Sequence, residues 1–302
     1  MPRPEGQCRG ANYREGMQIG LHLPDLTYPD GPAALADDLT RIVVAAEDAG
    51  FARVSVMDHV WQIAVHGPPE HDMLEAYTTL GFIAARTSRV ELLSWVTAVS
   101  YRAPGMLAKL VSTLDVLSGG RAWLGVGAAW NAEEAAGLGL DFPPLAQRFE
   151  MLEETVQICR QMWDPTDDGP YDGTHYHLGR TLNVPAPLHQ PKILIGGGGE
   201  KKTLRLVAKY ADACNIVDGP ELEHKLAVLR GHCETEGRDY GEIEKTVQVT
   251  LDLDDGVAPF IATLERLAAL GVDSIQGKLP GVWETERIER FGREIIPAAA
   301  EL

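Results

Sequence analysis

The chain has 302 residues, 44 of them acidic and 27 basic, for a net charge of −17. So negative a surface repels phosphate backbones and argues against nucleic acid as a partner. No run of 18 apolar residues offers a membrane span, and 45% hydrophobic content is ordinary for a globular protein.

The first 16 residues carry no apolar stretch and read as a polar extension. From Met17, strand-like and helix-like segments alternate. An apolar run over 17–23 stops at Pro24. A helix over 33–49 comes next, with Leu35, Leu39, Ile42, Val43 and Ala46 on one face and Gly50 at its end. Strands are predicted over 52–57, 90–99 and 121–127, separated by helices over 75–87 and 104–117. The second of these helices opens on Pro104 and closes on Ser118-Gly119-Gly120. A short helix over 131–137 and a long one over 145–163 come next. The Pro/Asp/Gly-rich stretch 164–190 reads as an excursion carrying a hairpin, with strand-like pieces at 175–178 and 181–184. Strands over 192–197, 212–217, 245–253 and 272–279 then alternate with helices over 200–210, 222–236, 260–270 and 284–300. Eight strands, each with a helix after it and undivided by any linker, predict a single (β/α)8 TIM barrel domain over 17–302, with the excursion as an insertion. A doubly wound sheet is the alternative, but HLPDLTYPDG after the first strand has no dinucleotide glycine fingerprint. Four scattered cysteines without paired spacing fit a reducing cytoplasm.

Chemistry in such a barrel sits at the C-terminal strand ends. His22 lies at the end of the first strand; Asp58, His59 and Trp61 come after the second. Histidine as a residue type titrates near neutrality and moves protons. Asp58 can hold the loop by accepting backbone N–H bonds; a structural Asp turn beside a satisfied histidine is the other reading. In the third strand Trp95, after Ser94, packs either in the core or on a flat ligand. Gly125-Val126-Gly127, with Ala128, Trp130 and Asn131 after it, allows close approach of a ligand or of a neighbouring element. Gly196, Gly197, Gly198 and Gly199 join a strand to a helix, where consecutive N–H groups and the helix dipole suit a phosphate. Lys201, Lys202, Arg205 and Lys209 lie just beyond, with 201, 205 and 209 on one face; a flexible turn before a solvated basic face is the plainer reading. No metal is expected. His59, His66, His71 and Asp72 share a loop region, but His175-x-His177 falls in the excursion and not at a strand end.

Four stretches together resemble the luciferase-like monooxygenase superfamily, in its branch of deazaflavin (coenzyme F420)-dependent oxidoreductases. They are Met17-Gln-Ile-Gly-Leu-His-Leu-Pro, Ser55-Val-Met-Asp-His, Thr113-Leu-Asp-Val-Leu-Ser-Gly-Gly-Arg-Ala-Trp-Leu-Gly-Val-Gly and Pro191-Lys-Ile-Leu-Ile-Gly-Gly-Gly-Gly. The resemblance implies a (β/α)8 barrel with Asp58-His59 as the catalytic pair near the reactive face of the deazaflavin. Ser94-Trp95 match a bulge where members carry a non-prolyl cis peptide behind the central ring. Gly127 and Ala128 then lie along the cofactor, Gly196 to Gly199 hold its phosphate, and Lys201 meets its acidic oligoglutamate tail. His22, Trp61, Trp130 and Asn131 are the candidate substrate contacts. Some members carry a proton-donating glutamate just after the fourth-strand turn; here Trp130-Asn131 stand in that place, with Glu133 and Glu134 only later. The implied reaction is hydride transfer between F420 and a small organic substrate, in a protein that is commonly a homodimer. An FMN-dependent monooxygenase using oxygen and a partner reductase is the first alternative, and a non-catalytic cofactor-binding protein the second.

Overall fold

The computed structural model describes residues 16–302, so the expected N-terminal extension lies, apart from Gly16, outside the described residues. In chain order the strands are β1 Gln18–Leu23, β2 Arg53–Val56, β3 Glu91–Ser94, β4 Thr97–Ala98, β5 Ala122–Gly127, β6 Tyr171–Asp172, β7 His177–Leu178, β8 Lys192–Gly196, β9 Ala213–Val217, β10 Glu244–Thr250 and β11 Ser274–Lys278. The α-helices are α1 Leu35–Ala49, α2 Ala76–Ala84, α3 Pro104–Ser118, α4 Ala132–Gly137, α5 Leu145–Trp163, α6 Thr203–Tyr210, α7 Leu222–Glu236, α8 Val257–Ala269, α9 Thr285–Glu294 and α10 Ile296–Ala299. All strands but β6 and β7 pair in parallel, in the order β3-β2-β1-β11-β10-β9-β8-β5, and β5 pairs back onto both β3 and β4. The sheet is therefore closed. β3 and β4 are two pieces of one barrel position, which makes the eight-stranded (β/α)8 barrel that the alternation predicts.

Sequence pattern explains the outer layer. In α1 the expected face of Leu35, Leu39, Ile42, Val43 and Ala46 is buried in the hydrophobic core. Each such aliphatic contributes roughly 1.5–3 kcal/mol on leaving water. Gly50 ends that helix at φ 96°, donating its N–H to Ala46 and Glu47 carbonyls, a left-handed cap that glycine adopts without a Cβ penalty. Three expectations shift. The predicted single strand 90–99 breaks into β3 and β4 at a cis peptide between Trp95 and Val96. The last helix divides into α9 and α10, because Pro297 has no N–H to continue the ladder. The hairpin in the excursion is β6 with β7; the stretch 181–184 forms no strand. Asn183 there spends its amide on Ser112 Oγ at 2.8 Å and on the Met162 carbonyl at 3.0 Å, which fastens the segment along α3 and α5.

Helices of this fold run antiparallel to the strands. The excursion thus leaves from the end of α5 and returns to the start of β8 at the strand-starting end of the barrel, away from the expected chemistry. That end is also sealed. Arg53 lies in the lumen with its guanidinium 3.8 Å from the Trp123 ring centroid, and pairs with Glu91 and Glu244, both at 3.1 Å. A buried charge survives only when paired, and here two carboxylates lift the Arg53 pKa against the opposing effect of its burial. Leu93, Trp123, Leu194 and Ala213 fill the lumen above, with Trp95 and Val96 packed on them.

Candidate active site at the strand ends

The site is built from the loops that leave the strand ends. After β2, the Asp58 carboxylate is buried and held: Oδ2 accepts the Ala98 N–H at 3.0 Å and the Arg102 guanidinium at 2.7 Å. Arg102 also reaches Glu75 Oε1 at 2.6 Å. Asp58, expected as a catalytic partner of His59, is placed as a brace tying the β2 loop to β4.

The partner of His59 is Glu134. Its Oε2 lies 2.6 Å from His59 Nδ1 and accepts the Tyr101 hydroxyl at 2.6 Å. Its Oε1 accepts the backbone N–H of Val60 at 2.5 Å and of Trp61 at 3.0 Å. Glu134 is fully buried, which alone would raise its pKa; the hydrogen bonds from His59, Tyr101, Trp61 and Val60 outweigh this and bring it down to about 2. The same carboxylate, after burial, pushes the Tyr101 hydroxyl up. An ionised carboxylate only accepts, so His59 Nδ1 carries a proton, and in the neutral imidazole the lone pair is then on Nε2. Nε2 has no hydrogen-bond partner among the described residues. By its place in the sequence Glu134 comes too late for the fourth-strand turn. Asn131 brings it back: its Oδ1 caps α4 through the Glu134 N–H at 3.2 Å, turning that first helical turn toward the β2 loop. The Asn131-x-x-Glu134 spacing, which resembles a capping box, is the signal that marks the turn.

The expected substrate contacts divide. Trp130 is 64% exposed with its ring 5.5 Å from the His59 ring, edge-on. Trp61 is half-buried against α4, close enough that a Cβ on Gly137 would come within 2.0 Å of its ring. The Asn131 side chain is occupied by its capping bond. His22 is buried, its ring 5.1 Å from Trp95 in an edge arrangement and its Nδ1 2.8 Å from Ser55 Oγ.

The third strand forms a wall. Trp95 donates its N–H to the Val56 carbonyl at 2.8 Å. The cis bond, expected at Ser94-Trp95, falls one bond later, between Trp95 and Val96. Ser94 is fully buried, and its Oγ has no partner among the described residues. The Val96 methyls sit in a slot between Gly127 and Gly196, where a Cβ on either glycine would approach them to 3.0 Å. Glycine is needed at both positions because Val96 packs there, which is close approach by a neighbouring element. Ala128 comes next, half-buried, its carbonyl accepting Arg148 Nε at 2.9 Å.

The glycine turn lies beside this wall. Gly197 has φ 114° and gives its N–H to the Asn215 carbonyl at 3.2 Å. Gly197 and Gly199 are exposed, and the Thr203 hydroxyl stands 2.9 Å from where a Gly199 Cβ would be. Of the expected basic face, Arg205 pairs with Glu236 at 3.4 Å and Lys209 pairs with Glu153, so Lys201 alone has no ion-pair partner among the described residues. Lys202 lies 5.3 Å from the Phe149 ring. A cation that the sequence did not flag takes part: Lys225 on α7 is 3.1 Å from the Gly198 Cβ position and 3.1 Å from Glu221 Oε2. An exposed glycine turn, a hydroxyl at a helix start and two lysines are a donor set that fits a phosphate.

In the excursion, His175 bonds Glu150 at 2.8 Å and His177 bonds Asp172 at 2.6 Å. Among the described residues no group of three or more metal-ligating side chains gathers, and no helix is long and apolar enough to cross a membrane.

Residues 17–273 match the family model described as luciferase-like monooxygenase. A curated relative, an F420-dependent glucose-6-phosphate dehydrogenase of Kineococcus radiotolerans, is 30% identical over 253 residues, spanning 81% of this chain and 71% of that protein. A solved F420-dependent secondary alcohol dehydrogenase, in complex with an F420–acetone adduct, superposes with a TM-score of 0.77 at 19% identity, covering 94% of this chain and 99% of that one. The monooxygenase RslO1 from Streptomyces bottropensis gives 0.76 at 19% identity, over 93% and 99%. At these identities the solved structures establish the fold.

Proposed function

The chain belongs to the luciferase-like monooxygenase family, and on that premise we propose that it is an F420-dependent oxidoreductase acting on a small organic substrate. The observation that carries this reading is the His59–Glu134 pair beside the Val96 wall, together with curated F420-dependent relatives. When bound, the deazaflavin supplies the carbon that takes or gives the hydride, chemistry no side chain offers. The chain supplies the rest. Lys201, Lys225 and the Gly197–Gly199 turn would hold the cofactor phosphate and its acidic tail. The wall at Trp95, Val96, Gly127 and Gly196 would back its ring. His59 Nε2, with its lone pair, would take the proton that leaves a substrate hydroxyl and return it to a carbonyl in the reverse direction. Glu134 would keep that imidazole in the accepting tautomer and stabilise its cationic form. Asp58 and Arg102 would hold the loop that carries it. The same reading treats 17–302 as one catalytic domain.

Parallel fluorescence titrations with F420 and FMN test it. F420 is expected to bind more tightly, and added salt to weaken F420 more than FMN, since the tail adds charges in a solvent-screened region. Equal or tighter FMN binding overturns the cofactor assignment.

A further inference from the structure

The Glu134 carboxylate is shared, and the sharing sets how firmly it holds His59. An ionised carboxylate offers about four acceptor sites. Here each oxygen takes two bonds: Oε1 from the Val60 and Trp61 N–H groups, Oε2 from His59 Nδ1 and the Tyr101 hydroxyl, both at 2.6 Å. The two backbone donors belong to the loop that carries His59 itself. Tyr101 comes from elsewhere, the segment between β4 and α3. It is the side chain that meets His59 on the same oxygen.

Burial, then the hydrogen bond to Glu134 and the charges of Glu134 and Asp58, push the Tyr101 hydroxyl well above the ordinary tyrosine value. It therefore keeps its proton and stays a donor at working pH. A short hydrogen bond to an ionised acceptor draws charge from that acceptor, so two donors on one oxygen compete for it. Without Tyr101, a buried carboxylate beside an imidazole favours the imidazolium, which has no lone pair with which to take a proton. The other charges near His59 are engaged. Asp58, next in sequence, is held by Arg102 and the Ala98 N–H, and Arg102 is held in turn by Glu75. His66, on the same loop, is brought down by its burial, then by Lys278 on β11, against the opposing charge of Asp25, and is neutral at pH 7. Trp130, from the turn after β5, presents an uncharged ring edge.

We infer that Tyr101 is a positioning residue for proton transfer: by sharing Glu134 Oε2 it limits the pull of that carboxylate on the His59 proton, so that the imidazole is held in place and can still act as a base. This rests on the reading of His59 as the proton-transfer group and adds to it the residue that keeps its partner from over-binding it. Tyr101 itself touches neither substrate nor cofactor in this role; it acts through Glu134.

The test needs neither substrate nor cofactor. The full chain, with isotope-labelled histidine, is titrated with acid and base by NMR. The His59 ring is identified among the nine histidines by its loss in His59→Asn. In Tyr101→Phe, which removes only the hydroxyl, the midpoint at which the His59 ring takes its second proton is expected to rise by about 0.3 pH unit or more. Tyr171→Phe, which removes a hydroxyl bonded to Gln157 in the excursion, should leave that midpoint where it is. In a Glu134→Gln background the Tyr101→Phe change should raise it by less than half as much, because the shared charge is gone. A midpoint in Tyr101→Phe that falls, or rises by less than about 0.3 unit, overturns the proposal and leaves Tyr101 a packing residue. Half or more of the rise persisting in the Glu134→Gln background overturns it as well, since Tyr101 would then act on His59 by another route. If Tyr101→Phe fails to fold, Tyr101→Met, an apolar filler without a donor, carries the same expectation. An F420 titration of the parent keeps the two readings apart. Failure to bind F420 sinks the oxidoreductase reading, while the coupling of Tyr101 to His59 is still decided by the histidine titration.

Discussion

At the scale of single residues, Glu134 is the side chain on which His59 depends. Val60 and Trp61 fix an oxygen at the Oε1 position by two N–H bonds. In Glu134→Gln that demand would leave the amide NH2 facing His59, and the imidazole would have to move its proton to Nε2. The accepting lone pair is then lost. Turnover is expected to fall by ~10²–10⁴-fold, as when the orienting carboxylate of a catalytic histidine is made an amide. KM and F420 affinity should hold within about threefold, and Glu134→Asp should recover part of the rate. A kcat within twofold of the parent would remove Glu134 from this role. His22 gives a second expectation, in stability. It stays neutral in the fold to about pH 3, whereas its ordinary value is 6.5. Below 6.5 the unfolded chain binds the extra proton, so this contribution is whole above 6.5 and is lost as the pH falls toward 3. His22→Asn does not titrate. The Tm difference between parent and variant should therefore shrink from pH 7 to pH 3.5; a constant difference would count against the buried neutral imidazole.

Among the elements, the wall made by the third strand is held by fit. A Cβ on Gly196 would come to 3.0 Å of two Val96 carbons. Gly196→Ala is expected to cost ~1–3 kcal/mol by overpacking, measured by urea unfolding. Val96→Ala opens the slot, so the double variant should recover most of that cost, an interaction of ~1 kcal/mol or more. Strict additivity would mean the glycine is there for another reason. These elements also show what the sequence can tell. The alternation of strands and helices is legible because each barrel strand is a short apolar run and each helix has a buried stripe, so local pattern and global fold agree. The break at Trp95–Val96 is not legible, since Leu-Leu-Ser-Trp-Val-Thr reads as one extended run. His59 is legible from its place at a strand end. Glu134 and Lys225 are not: each sits on a helix and reaches the site only through the packing of that helix against another strand's loop. Arg205 and Lys209 look like ligands by spacing, yet they answer to Glu236 and Glu153, carboxylates 31 and 56 residues away in sequence.

For the molecule as a whole, the two ends of the barrel have separate tasks. The excursion over 164–190 is fastened to α3 and α5, at the side and at the strand-starting end, and Asn183 is its buried fastening. Asn183→Ala leaves the Met162 carbonyl without this donor and is expected to cost ~1–3 kcal/mol, seen as a lower Tm. Its kcat and KM should match the parent's; a tenfold kinetic change would mean that the excursion reaches the site. The floor of Arg53, Trp123, Glu91 and Glu244 has a consequence of a different kind. With the lumen plugged below, whatever works at the strand ends must come and go by one doorway. Two ligands sharing a single doorway queue: the one seated deeper arrives first and leaves last, and the upper one locks it in. A cofactor and a substrate sharing that doorway are expected to bind and leave in a fixed order, read as an ordered pattern in product-inhibition kinetics.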